Sequence, residues 1–243
     1  MGRRQPSNAL AFRAPPMVSV MIQSSRIAAA APHRVSFIPD ILESHAAELG
    51  ARRRILPKGQ TVDLPDGECC VLIVVAGMLS VVTPTIDGKE AFLSDVRPGE
   101  MVGEAFALGN DSVPLAVTAV EQTEVWALRK PAYLRALSDV PEFTVAAMDA
   151  MCRRQCRTNL RMAESVTMHV ADRLAAELLR MAQSSDDGEH IEQLPTHREL
   201  AVRIASHREA VTKELSRLER VGAIRREGPR LALVGPSWSR DGL

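Results

Sequence analysis

The chain has 243 residues, with 30 Lys plus Arg against 30 Asp plus Glu and no formal net charge. That length allows one large or two modest domains with real cores, and an apolar content of 46% belongs to a folded globular protein. Neutrality excludes a general polycation, and no apolar run approaches the roughly 20 residues that cross a bilayer.

The N-terminus, "MGRRQPSNALAFRAPPMVSVMIQSSRIAAAAPH", carries arginines and an alanine cluster. Arg13, Pro15 and Pro16 interrupt any signal-peptide core, and "MVSVMIQ" is short for one. Residues 1–33 are expected to be a disordered extension, with Met17 or Met21 as alternative starts.

Residues 34–140 change character. Short β-rich runs are cut at Pro57-Lys58-Gly59, Asp66-Gly67, Asp87-Gly88 and Pro98-Gly99, and "AVTAVEQTEVWAL" adds further strands. Such spacing predicts an antiparallel sandwich or barrel.

From Pro141 the period becomes helical. Val145, Met148, Cys152, Gln155, Asn159, Met162 and Val166 step by three and four alternately, a heptad seam with two polar members. The length and narrow stripe predict a parallel dimer over 141–168; a single helix packed on its own domain has the same spacing. Another helix begins in "HVADRLAAELLRMA", and "QSSDDGEH" is a polar loop. Glu164 and His169 read as surface and hinge residues.

Thr196 and Glu199 have the spacing of a capping box and open "THRELAVRIA". Ser206 and Glu209 repeat that spacing and predict a second helix from Ser206. Val211, Leu215 and Leu218 give it one apolar stripe. Arg208, Glu209, Thr212, Lys213 and Ser216 fall opposite, and Gly222 ends it. Two short helices, a tight turn near Ala205 and a polar face predict a helix-turn-helix. "AIRREGPRLALV" adds a β-hairpin wing around Glu227-Gly228-Pro229. An ordinary helical hairpin with a solvated face would share this pattern. From His190 to Leu243 there are ten Lys/Arg and seven Asp/Glu, a local excess of +3 that suits nucleic acid.

Four cysteines stand at Cys69, Cys70, Cys152 and Cys156. An adjacent pair and an i, i+4 pair are no secreted disulfide framework, so a reducing cytoplasm is expected. No His or Asp completes a metal set beside Cys152 and Cys156, which read as small buried hydrophobes. There is no Walker loop, zinc-protease motif or nucleophile elbow, so no enzyme is expected.

The order of β-rich domain, long helix and winged helix-turn-helix resembles the cyclic-AMP receptor protein/FNR (Crp-Fnr) family of bacterial transcription regulators, over roughly Val35 to Gly235. "LPKGQTV", "VVAGMLSV", "DGKE" and "RPGEMVGEAFAL" resemble its β-roll turns. "HVADRLAAELLRMA" resembles the helix after its hinge, and "THRELAVRIASHREAVTKELSRLERVGAI" its DNA-reading unit without a gap. The resemblance implies an α+β fold: a β-roll sensor over 34–140, a dimerisation helix over 141–168 and a winged helix-turn-helix over 169–243. It implies a homodimer reading an inverted repeat of double-stranded DNA, with RNA polymerase as a further partner and no membrane. Arg208 and Glu209 would then read bases, arginine to guanine O6/N7 and glutamate to cytosine N4. Lys213 would reach a base or phosphate, Thr212 shares their face, and Thr196, His197 and His207 fit phosphate contacts. A ligand-binding or scaffold protein whose C-terminal unit contacts protein is the alternative.

The family's nucleotide pocket uses a Gly-Glu turn and then an Arg-Ser-Ala stretch whose arginine meets the phosphate. This chain keeps the first as Gly103-Glu104. The second falls on Val113-Pro114-Leu115, which offer no side-chain donor for a phosphodiester that needs charge-assisted partners. Thr158 and Asn159 fall where the family contacts adenine; Asn159 could equally set dimer register. The expectation is no standard cyclic-AMP site, an effector of unknown identity and no cofactor. The N-terminal extension has no cysteine for the iron–sulfur cluster of the FNR branch.

Overall fold

The computed structural model describes residues 37–66, 69–86, 88, 90–109, 114–182, 189–228, 230–234 and 238. The extension 1–33, the loop at 183–188, and Gly67, Asp87, Val113 and Pro229 lie outside the described residues. Two compact units divide the chain, Ala31–Asn159 and Leu160–Leu243.

The first unit is two four-stranded antiparallel sheets. One has the order β1 (Arg52–Leu56), β8 (Thr123–Leu128), β3 (Val71–Ala76), β6 (Met101–Val102). The other has the order β2 (Thr61–Leu64), β7 (Leu115–Ala119), β4 (Leu79–Pro84), β5 (Glu90–Val96). β3 shows why its sequence, "VLIVVA", is unbroken rather than alternating. Leu72 and Val74 face a core shared with Leu79, Val81 and Val117 of the second sheet. Val71 and Ile73 face a different core, built with helices. A strand buried on both faces needs apolar residues at every position. By contrast β5, at the sheet edge, is only partly buried and carries Glu90 and Asp95.

The helical side comprises α1 (Ile38–Leu49), the short α2 (Glu104–Ala107), α3 (Lys130–Asp139) and the first part of the 27-residue α4 (Pro141–Thr167). Tyr133 of α3 and Phe143 of α4 are fully buried with rings edge-on, 5.9 Å apart. Each such burial contributes about 1.5–3 kcal/mol, and the edge-to-face geometry adds to it.

The second unit holds α5 (Val170–Ala182), β9 (His190–Ile191), α6 (His197–Arg203), α7 (Arg208–Arg220), β10 (Ile224–Glu227) and β11 (Arg230–Leu233), the strands ordered β10-β11-β9. Leu174, Leu178, Leu200, Val211, Leu215, Leu218 and Leu231 form its core. The hairpin of β10 and β11 is the expected wing, and β9 adds a third strand to it.

Two sequence expectations are corrected here. Cys152 and Cys156 are exposed, whereas Cys69 and Cys70 are buried. Periodicity showed which α4 residues share a face but not which face turns inward. Phe143, Ala146, Ala147 and Ala150 take the buried side, and Val145, Met148, Met162 and Val166 are 59–78% exposed. Glu164, read as a surface residue, is 6% exposed; His169 is exposed, at the bend between α4 and α5.

Candidate DNA-reading head and sensor turn

The head is set by two helix termini. At the start of α6, Thr196 Oγ1 accepts from the Glu199 N–H, and Glu199 returns a bond to the Thr196 N–H at 2.7 Å. This is the expected capping box. At its end, the Ala205 N–H donates to Val202 O and the Ser206 N–H to Ala201 O, 3.2 and 2.9 Å. That pair of bonds is a Schellman motif, with Ala205 at φ 49° where glycine is usual.

The Schellman motif overturns the second capping box. The Ser206 N–H that Glu209 would have capped is already taken by Ala201 O. The helix therefore starts at Arg208 with His207 as N-cap and no side-chain cap. Glu209 is left on the exposed face with Arg208, Thr212, Lys213 and Ser216, while Val211, Leu215 and Leu218 are buried beneath. His207 and Thr196 are exposed.

His197 is half-buried and its Nδ1 lies 2.8 Å from Thr212 Oγ1, so two expected DNA contacts also tie α6 to α7. Burial, and then the charges of Arg226 and Arg208, hold the His197 pKa below its ordinary value. Arg226 was not among the expected site residues. The hairpin register carries it toward His197, and no local motif encodes that. Among the described residues, Arg198, Arg208, Lys213 and Arg220 form no salt bridge, so four cations of α6 and α7 stand unneutralised.

Behind this face lies an ionic cluster that sequence patterns did not reveal. Glu177 of α5, 1% exposed, meets Arg161 at 3.1 Å, Arg180 at 3.0 Å and Arg203 at 3.2 Å. Arg180 also holds Glu164 through its two terminal guanidinium nitrogens, at 2.9 and 3.1 Å. Burial alone would raise the Glu177 pKa, but Arg161, Arg180 and Arg203 outweigh it and bring it down to about 2. The end of α4, α5 and α6 are thereby joined by charge-assisted bonds as well as by packing.

In the first unit the Gly103-Glu104 turn links β6 to α2. Gly103 has φ 95°, and a Cβ there would meet the Cys70 carbonyl at 1.8 Å, so only glycine fits. Glu104 is buried, and its Oε1 pairs with Arg154 of α4. Arg154 also donates to the Met101 carbonyl at 2.8 Å, and Arg157 pairs with Glu100 at 2.7 Å. The second carboxylate oxygen of Glu104 is buried without a hydrogen-bond partner. Thr158 and Asn159 are exposed, and Asn159 accepts from Gln155 at 2.8 Å. Neither bonds to Gly103 or Glu104 among the described residues, so the four expected effector residues are not brought together by hydrogen bonding. Pro114 is exposed and accepts from Thr83 at 3.0 Å; Leu115 begins β7. No cation stands at either position.

Comparison with known proteins agrees with both halves. The cyclic nucleotide-binding domain profile matches residues 53–139, and the Crp-like helix-turn-helix domain profile matches residues 172–236. The CRP-like cAMP-activated global transcriptional regulator of Mycobacterium tuberculosis is 28% identical over 178 residues, covering 71% of this chain and 79% of its own. A solved CRP-family transcriptional regulator from Thermus thermophilus superposes with a TM-score of 0.65 at 25% identity, over 78% of this chain and 96% of its own. The c-di-GMP responsive global regulator CLP of Xanthomonas campestris gives 0.65 at 20% identity, over 79% and 99%. Among the described residues no helix is long and apolar enough to cross a membrane. With a β-roll of the nucleotide-binding type before a winged helix-turn-helix of the Crp type, this chain belongs to the Crp-Fnr family of transcriptional regulators.

Proposed function

We propose that the chain works as a homodimer in the cytoplasm and binds an inverted-repeat DNA site. In this reading residues 34–140 sense, 141–168 dimerise and 169–243 bind DNA. The observation that carries it is the exposed stripe of α4, with Val145, Met148, Met162 and Val166 all in solvent on one seam. A heptad stripe of that kind is stable when a second copy covers it. Gln155 and Asn159 on the same seam fix the register.

Two copies of α7 then enter successive major grooves about one DNA turn apart. Arg208 and Glu209 read bases, Lys213 and Thr212 lie along the same face, and Thr196, His197 and His207 contact phosphates. RNA polymerase is the further partner of such a regulator.

For the effector, cyclic AMP fits poorly. Val113-Pro114-Leu115 supply no counter-charge for a phosphodiester, and Glu104 is already held by Arg154. The unpartnered Glu104 oxygen favours an effector that offers a hydroxyl or amine donor, with Thr158 and Asn159 as further polar groups on α4. The names of the relatives, cAMP-activated in one and c-di-GMP responsive in another, agree with one frame serving different ligands.

The test is footprinting of the purified protein on genomic DNA with and without small-molecule extract. Paired half-sites about 10 bp apart, and binding that weakens steeply with salt, are expected. Unpaired sites, or a C-terminal unit that prefers protein to DNA, reject the reading.

A further inference from the structure

We propose that the edge of the first sheet carries a second small-molecule site, a cleft that takes a small anion bearing two or more phosphate groups. The cleft has a volume of about 510 Å³ and is lined by Arg52, Arg53, Arg54, Asp66, Cys69 and Arg129, with neutral residues between them. That volume is within the range of roughly 300–1,000 Å³ usual for small-molecule sites. It rests on different residues from the DNA-reading face and from the Gly103-Glu104 turn.

Charge decides what can enter. The lining holds four guanidiniums and one carboxylate, Asp66, which is already engaged. Glu43 and Glu124, outside the lining, pair with Arg53 at 3.5 and 3.0 Å, so the excess charge rests on the other arginines. Asp66 Oδ1 accepts from the Cys69 N–H at 2.7 Å, and Oδ2 stands 3.9 Å from Arg54. Arg53 is positioned by Glu124 at 3.0 Å and lies 5.3 Å above the Trp126 ring. Arg52 is exposed and forms no salt bridge among the described residues. Planar guanidiniums bind phosphate oxygens two at a time, so several on one concavity favour a multiply charged phosphate over a single small anion.

The arginines have a simpler use, since charge on an edge strand deters pairing with another sheet. β1 is such an edge. Arg129, however, follows the neighbouring strand β8 and lines the same cleft. It is also the N-cap of α3, which has no side-chain cap, so the positive end of a helix adds to the same field. Edge protection requires neither. Cys69 contributes a wall rather than a reagent: burial first, then Asp66, pushes its thiol up to about 11, which leaves it protonated at neutral pH. The cleft also adjoins the sensor turn through the chain, because Cys69 is followed by Cys70, whose carbonyl packs on Gly103.

The test is calorimetric titration of the full chain with inorganic pyrophosphate at physiological salt, with Arg52→Gln, Arg52→Gln/Arg129→Gln and Arg208→Ala beside the parent. The site predicts saturable binding, one pyrophosphate per chain. The double substitution should weaken it at least tenfold, Arg52→Gln alone at least threefold, and Arg208→Ala not at all. Equimolar sulfate should not displace it. Arg52 is exposed, so its single variant keeps the fold and decides the matter if the double variant melts early. Absence of saturable binding, an unchanged affinity in Arg52→Gln, equal competition by sulfate, or a loss in Arg208→Ala would overturn the assignment.

Discussion

His197 Nδ1 lies 2.8 Å from Thr212 Oγ1, and the Thr212 hydroxyl donates its one proton to the Arg208 carbonyl 2.9 Å away. The hydroxyl therefore accepts from His197, which carries a proton on Nδ1 and leaves Nε2 as the free nitrogen. Arg208, Thr212 and His197 thus share one chain of bonds across the helix-turn-helix.

That chain predicts a pH response. His197 has its pKa lowered by burial and by Arg226 and Arg208, so the unfolded chain takes up the proton first as pH falls below about 6.5. The contribution of the neutral ring is whole above that value and is lost as pH falls from there through the lowered folded pKa. Urea unfolding at pH 7 and pH 5.5 should show a larger drop in midpoint for the parent than for His197→Asn. Equal drops would show that His197 does not titrate as described.

Glu177→Gln should strongly destabilise the C-terminal unit. It leaves Arg161, Arg180 and Arg203 short of a buried counter-charge, a cost of about 3–5 kcal/mol. With the native carboxylate at about 2 against an ordinary 4.5, its stabilisation, about 3 kcal/mol, is present above pH 4.5. It disappears as pH falls from there toward 2. Denaturant curves at pH 7 and pH 3 should show the variant far below the parent at the first, with the gap narrowed by about 2 kcal/mol at the second.

Arg208→Ala should cost about 1–3 kcal/mol at one base pair of each half-site and flatten the preference there. Competition gel shifts with single-base variants of the footprinted site measure this. Discrimination that survives the substitution would assign the base contact to another residue.

Met148→Glu tests the dimer. Met148 is 62% exposed in the chain, so the change should move the stability of the folded chain by no more than about 0.5 kcal/mol. Placed on an α4 seam, it should convert the dimer to a monomer in light scattering. A variant that remains dimeric places the interface elsewhere.

Ala205→Gly should stabilise the head. Alanine at φ 49° costs about 1–2 kcal/mol, only part of which glycine's extra freedom in the unfolded chain offsets. A net gain of about 0.5–1 kcal/mol is expected in thermal melts, with DNA affinity unchanged.

Local rules carried far in this chain. Turn residues marked the β-roll, Thr196 and Glu199 marked a helix start, and the hairpin around Gly228 was legible from its two apolar runs. The misreadings arise where one group had two suitors. Ser206 and Glu209 have the right spacing for a cap, but the Ser206 N–H closes the preceding helix instead. Cys152 has the spacing of a core residue on a helix whose other face is the buried one. Glu164, Glu177 and Arg203 lie on three helices, and their cluster exists only after those helices pack. Arg154 likewise reaches back 50 residues to Glu104, which no window along the sequence encodes.

The unneutralised cations on α6 and α7 bear on how the protein arrives at a duplex. An overall charge of zero with +3 after residue 189 leaves −3 on the residues before it. Within the C-terminal unit the exposed faces of α6 and α7 therefore present a local positive field to a polyanion, even though the chain as a whole carries no net charge. Encounters that bring this face to the duplex are held longer than those that do not, an advantage that added salt screens away, so part of the selection happens before any base is touched.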